Sequence, residues 1–191
     1  MEWQMEKELH LQLAGIVEES VTDGPGVRLT VFVQGCSRRC PGCHNPQTHD
    51  PAGGRRVSVE ELAQQLGAIL DGDPLITGVT FSGGEPLEQA AALARLAELA
   101  VLPRKLDLMI YTGYVFEEVM GAAGQPEDRF TKDAQRLLRM ADRMVEGPFL
   151  LEERDLTLQF RGSRNQRYLD VKISLAEGRI AWCGSEGWDF L

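Results

Sequence analysis

The sequence predicts an α/β fold, a partial and open β/α barrel built on a mostly parallel sheet. Three observations carry that expectation. Runs with strand character alternate with runs of helical periodicity in the order strand, loop, helix, the pattern of parallel strands joined by crossover helices. Each distinctive loop sequence (QGC at 34–36, SGGEP at 82–86, TGY at 112–114, EGPF at 146–149) follows a strand directly. Parallel strands deliver such loops to one sheet edge, where ligands bind in these folds. The chain has 191 residues, whereas a complete eight-fold barrel takes about 250.

The elements follow in order. Leu9, Leu11 and Leu13 alternate with polar or small residues, which predicts a strand. A loop with Asp23, Gly24, Pro25 and Gly26 leads into Arg28 to Gly35, a β-branched and aromatic run expected as a buried strand. Val59, Leu62, Leu66, Ile69 and Leu70 share one helical face from Val59 to Leu70, and Ser58 and Glu61 have capping-box spacing. A short strand, Gly78 to Phe81, precedes an Ala/Leu-rich helix from about Glu88 to Ala100. Leu106 to Tyr111 is the next core strand, followed by helices near Phe116 to Ala122 and Lys132 to Ala141. Met144 to Glu146 and Tyr168 to Ser174 complete the expected strands. No repeat or low-complexity segment divides the chain, so residues 1–191 are expected as one domain with a peripheral tail after about 175.

Composition bounds the function. Hydrophobic residues are 43% and charged residues 26%, ordinary for a protein with a real core. The formal net charge of -9 repels phosphate backbones, so nucleic-acid binding is not expected. Charges interrupt the N-terminal run MEWQMEKELHLQLAG, which lacks the apolar centre of a signal peptide, and no apolar stretch is long enough to cross a bilayer. The expectation is a cytoplasmic protein without membrane contact. Disulfides are rare there, so the four cysteines need another explanation.

Three of them lie together in GCSRRCPGCHNP, as Cys36-x3-Cys40-x2-Cys43. Three thiolates on one loop can reach three corners of a small metal centre. A [4Fe–4S] cluster takes four ligands, so three would leave one iron open for chemistry. Other readings compete. Cys40-Pro-Gly-Cys43-His44 matches the haem-attachment pattern but leaves Cys36 unexplained. A Cys3His zinc site would need the adjacent Cys43 and His44 at two tetrahedral corners. Burial as small hydrophobes conflicts with Arg38 and Arg39 between them, which would instead favour thiolates. Spacing alone leaves iron–sulfur ahead of zinc and haem, and does not decide between them.

The rest of the sequence adds a resemblance. Cys36-x3-Cys40-x2-Cys43 is the signature spacing of the radical S-adenosylmethionine superfamily, and Ser82-Gly83-Gly84-Glu85-Pro86 resembles that superfamily's GGEP segment. DGPGVR at Asp23 to Arg28, with QGC and CHN downstream, resembles activating enzymes of glycyl-radical proteins. YTGY at Tyr111 to Tyr114 and RGSRNQR at Arg161 to Arg167 resemble the anaerobic ribonucleoside-triphosphate reductase-activating family. The match runs from about residue 15 to 171. The motifs are specific jointly and in order, not singly. One departure stands out: the wider superfamily has an aromatic residue just before the third cysteine, and this chain has Gly42.

The resemblance implies a [4Fe–4S] cluster on Cys36, Cys40 and Cys43, with S-adenosylmethionine at the open iron. It implies that Gly83 and Gly84 meet the cofactor's amino group with Glu85 in support, that Gly42, Cys43 and His44 line the adenine, and that Thr112 contacts the cofactor. No side chain need act as acid or base. The implied partner is the anaerobic ribonucleoside-triphosphate reductase, and a separate electron donor is required. Each motif also has a plain reading. Gly-Gly suits an ordinary strand-to-helix turn, TGY and DGPGVR suit tight turns, RGSRNQR suits a solvated loop, and His44 suits a loop histidine. Cys183 is expected to have no catalytic role. Alternatives are activation of another glycyl-radical enzyme, or an iron–sulfur or zinc module without radical chemistry. The last would leave SGGEP unexplained.

Overall fold

The structure is a computed structural model describing residues 8–120 and 129–183. It contains β1 (His10–Ser20), β2 (Val27–Val33), β3 (Arg55–Ser58), α1 (Val59–Gly72), β4 (Ile76–Gly83), α2 (Ala90–Leu96), β5 (Asp107–Tyr111), α3 (Phe116–Met120), α4 (Arg129–Met140), β6 (Arg143–Glu146), β7 (Arg167–Asp170) and α5 (Val171–Glu177). The strands form one seven-stranded sheet in the order β3-β1-β2-β4-β5-β6-β7. The neighbours β2, β4, β5 and β6 pair in parallel. β1 pairs antiparallel with both β2 and β3, and β7 pairs antiparallel with β6. β3 therefore runs with the central four, and only β1 and β7 run against them. The fold is mixed α/β with a mostly parallel sheet.

Residue pattern explains the layers. In β2, Leu29, Val31 and Val33 are buried in the main core, with Val79, Phe81, Leu108 and Ile110 from the strands beside them. Leu62, Leu66, Leu93, Leu137 and Leu138 from the helices cover that face. The opposite face is more polar. It carries Arg28, Thr30 and Thr80, all buried, beside a small cluster of Met109, Val145 and Tyr168 packed with Tyr111, Phe160 and Cys183.

Several expectations are corrected. β1 runs on to Ser20 through two register breaks. β3 went unread because Arg55 and Arg56 are charged and exposed; it is an edge strand, where charge protects against further pairing. Ser58 is the N-cap of α1, but its side chain makes no capping bond, so the expected capping box does not form. The helix expected from Glu88 to Ala100 is three pieces: a 3-10 turn at Pro86–Gln89, α2, and a π turn at Ala97–Val101. The strand expected from Tyr168 to Ser174 stops at Asp170, whose carboxylate accepts the Ile173 N–H at 2.8 Å and starts α5. Residues 121–122 of the expected third helix lie outside the described residues. Among those described, no helix is long and apolar enough to cross a membrane.

The amino ends of the central strands are fastened by one buried charge. Arg28 is 1% exposed and its guanidinium donates to Asp107 Oδ1 at 2.6 Å, Thr80 Oγ1 at 2.9 Å and Val79 O at 2.7 Å. The second carboxylate oxygen of Asp107 accepts Arg143. DGPGVR thus supplies the cross-link of β2, β4, β5 and β6 at the end opposite the cysteines. Asp107→Ala strands Arg28 in the interior and is expected to lower the unfolding free energy by about 3 kcal/mol. Arg143 is 35% exposed, so Arg143→Ala is expected to cost about 1 kcal/mol or less. Urea unfolding of both variants measures this, and equal losses would contradict it.

Candidate functional site

The four loops expected to converge do so, at the carboxyl edge of β2, β4, β5 and β6. β2 and β4 end in register, Val33 beside Gly83. Gly83 has φ +102° and a Cβ there would lie 2.6 Å from Val33 N and O. A Cβ on Gly84 would collide with Gly35 O. The two glycines are therefore required by the close approach of the SGGEP loop to the protein's own backbone. Gly84 N donates to Val33 O and Glu85 N to Gly35 O, both at 2.8 Å.

Glu85 is the centre of this edge. It is 1% exposed. One carboxylate oxygen accepts Thr112 Oγ1 at 2.7 Å and Leu87 N at 3.0 Å; the other accepts Gly113 N at 2.8 Å. Thr112 N in turn donates to Val145 O at 2.9 Å. Glu85 and Thr112, both expected at the site, thus meet directly and tie the ends of β4, β5 and β6 together.

The cysteine loop begins at the end of β2 and is held on several sides. Gly35 N donates to Thr48 O at 2.8 Å and Cys36 N to His49 O at 3.2 Å. Buried Gln34 reaches across to Gln47 O and Asp50 O, and Gln89 donates to Gln34 O. Ser37 bonds Glu88 through both its N–H and its hydroxyl. Arg38 extends over Gly113 and places its guanidinium 4.6 Å from the centre of the Tyr114 ring. Gln34 was read only as part of QGC, with no role of its own, and Glu88 and Gln89 were not singled out in the sequence. A glutamine between a buried strand and a glycine was the only available signal.

Cys36, Cys40 and Cys43 are free and half-buried. Burial pushes the Cys36 thiol up, and the backbone groups of Arg39 and Arg38 oppose that. The expected influence of these arginines on Cys36 thus comes chiefly from main chain. Cys43 Sγ accepts Asn45 N at 3.4 Å, a bond of the kind that supports thiolate ligands. Gly42 has φ +74° and, like His44, is exposed. Its missing Cβ would lie 2.9 Å from Leu151 and 3.3 Å from Phe149. An aromatic ring from the EGPF loop therefore stands beside the position where the sequence lacks one. Among the described residues, no three His, Cys, Asp or Glu side chains form a single-ion group. A four-iron cluster places each thiolate on a different iron, which three half-buried thiols on a braced loop suit.

A family model described as 4Fe-4S single cluster domain matches residues 22–169. The chain is 32% identical over 149 residues to the anaerobic ribonucleoside-triphosphate reductase-activating protein of Vibrio cholerae, covering 76% of this chain and 89% of that one. The chain belongs to this activating-protein family. The Escherichia coli K12 member is 31% identical over 150 residues, with 76% and 90% covered. The pyruvate formate-lyase-activating enzyme of Clostridium pasteurianum is 42% identical over 92 residues, which is 46% of this chain and 37% of that one.

RGSRNQR, a motif resembling this family, is not a free loop. Arg167 bonds Glu146 and Glu117, Asn165 donates to Pro148 O, and Gln166 donates to Gly147 O. Cys183 packs with Met109, Val145 and Tyr168, and burial pushes its thiol up to about 11.

Glu85 carries a pH signature. Burial pushes its carboxyl from 4.5 up to about 7, against the pull of Gly113, Thr112 and Leu87. A carboxyl raised on folding stabilises the fold fully below its unfolded value, and that stability is lost as pH rises through about 7. The cluster-free wild type should therefore weaken relative to Glu85→Gln between about pH 5 and 8, by at most about 3 kcal/mol. Urea midpoints across that range measure it, and parallel profiles would contradict it.

Proposed function

We infer that Cys36, Cys40 and Cys43 hold a [4Fe–4S] cluster with one iron open to S-adenosylmethionine, and that the chain activates an anaerobic ribonucleoside-triphosphate reductase by forming its glycyl radical. The observation that carries this is the meeting of the cysteine loop, SGGEP and TGY around Glu85 at one sheet edge. Membership in the activating-protein family supports it independently. Held by Cys36, Cys40 and Cys43, the cofactor pair would supply the reductive radical chemistry that hydrogen abstraction from a glycine Cα of the partner requires.

The chain's own residues bind, orient and exclude water. Gly83 and Gly84 hold the SGGEP backbone where it meets the cofactor's amino group, with Glu85 fixing that backbone from behind. Thr112 lies on the same edge and would contact the cofactor, and exposed Gly42 and His44, with half-buried Cys43 between them, would offer backbone and ring to the adenine. No side chain acts as acid or base. The DGPGVR and RGSRNQR segments contribute to the partner surface. A separate donor reduces the cluster. The sheet is read as an open partial barrel in one domain, working in the cytoplasm without nucleic acid; the net charge of -9 supports the last point. The match to a pyruvate formate-lyase-activating enzyme favours one second reading, activation of another glycyl-radical enzyme.

Anaerobic incubation with S-adenosylmethionine, a reductant and the candidate reductase tests the proposal. The expected result is 5′-deoxyadenosine together with a glycyl radical seen by electron paramagnetic resonance. Radical on pyruvate formate-lyase alone would select the second reading, and zinc without iron would overturn both. Replacing any one of Cys36, Cys40 or Cys43 with Ala is expected to abolish cleavage, while Cys183→Ala retains it. Retained cleavage in the first three would refute the ligand assignment.

A further inference from the structure

We propose that RGSRNQR is a clamp that presses Phe149 and Leu151 onto the cysteine loop, and so controls how far water reaches the cluster. This rests on the cluster assignment above. The observation is a run of contacts between two segments. The strap 146–151 leaves β6 and passes the cysteine loop. Along it, Glu146 accepts Arg167, Gly147 O accepts Gln166 Nε2 at 3.1 Å, Pro148 O accepts Asn165 Nδ2 at 2.7 Å, and Leu150 N donates to Ser163 Oγ at 3.2 Å. Four side chains of the motif thus hold four of six residues of the strap.

The clamp is itself rigid. Gln166 Oε1 accepts Gly162 N at 2.8 Å and Ser163 N at 3.2 Å, so one glutamine closes its own loop and grips the strap. Glu146 is 1% exposed and also accepts Phe116 N, which anchors the strap to the start of α3.

What the clamp positions is apolar. The Phe149 ring lies between Gly42 and Gly162. A Cβ on either glycine would stand 3.3 Å or 3.0 Å from it. Leu151 lies on Gly42 as well and is 52% exposed. Gly42 sits between Cys40 and Cys43. Two apolar side chains therefore stand against one side of the position between the cysteines that has no side chain of its own, while Gly42 stays exposed on the other. An apolar shell of this kind governs solvent access and potential at a metal centre. The reduced cluster carries more negative charge than the oxidised one, and water stabilises that charge. Exposing the loop therefore raises the potential and admits oxidants.

Four variants test the proposal in the full chain after anaerobic reconstitution: Phe149→Ala, Phe149→Leu, Asn165→Ala and, as a control away from the strap, Arg164→Ala, whose side chain pairs with Asp155. Iron and sulfide in the wild type are measured first. No iron there would sink the cluster assignment and this proposal with it. With iron present, Phe149→Ala is expected to lose cluster absorbance in air about 10-fold faster than wild type. Its midpoint potential should move to more positive values. Asn165→Ala should shift both readouts in the same direction by less, Phe149→Leu should restore them, and Arg164→Ala should match wild type. Thermal melts of the cluster-free proteins separate this from a folding defect. Wild-type lifetime and potential in either Phe149→Ala or Asn165→Ala, whatever their melting temperatures, would overturn the proposal while leaving the cluster assignment standing.

Discussion

The arrangement at the carboxyl edge depends on one buried carboxylate. Glu85 joins three loops that are far apart in sequence, through Gly35 on one side and Thr112 and Gly113 on the other. Three donors aimed at a carboxylate favour its charged form, while complete burial opposes it. The carboxyl is held near neutrality as a result, with its value at about 7.

The parallel register makes this economical. β2, β4 and β5 start and stop at nearly the same level, so a loop following any of them begins within reach of the others. The glycines at 83 and 84 let two such loops touch backbone to backbone. Of the two readings the sequence offered for them, a tight turn and a face toward a ligand, the backbone contacts account for the first. The protein needs them before any ligand arrives.

Legibility followed the physics of each element. The central strands and α1 were readable because burial on one or both faces writes itself into residue type, as in RLTVFV or the Leu62, Leu66, Leu70 series. The edge strand β3 carries no such record, since Arg55 and Arg56 face solvent. At the last strand, Val171 and Ile173 have strand character, yet the Asp170 cap turned the chain into a helix. A local side-chain bond outweighed propensity there. At the site, the three cysteines, Glu85 and Thr112 were legible from motif and strand order. Gln34 and Glu88 were not, because a side chain that braces a loop from another element has no periodicity. RGSRNQR was visible as a motif, but its partners 146–151 become evident only when β6 and β7 pair.

The two ends of the sheet divide the work in a way that bears on the cluster. The amino ends are locked by Arg28, a buried guanidinium bonded to Thr80, Asp107 and Val79 O. The carboxyl ends are locked by Glu85, which titrates, and by an apolar cover borrowed from another segment. A loop carrying three thiolates repels itself when charged, so it needs braces that do not depend on the metal. Hydrogen bonds donated by Gln34 and Gln89, and the Glu88 carboxylate that accepts Ser37, supply those braces. What they leave bare is Gly42, where a left-handed backbone rules out most side chains. Apolar contact at that position has to come from elsewhere in the fold, and the antiparallel return of β7 along β6 is what brings the clamp and the strap together to provide it on one side.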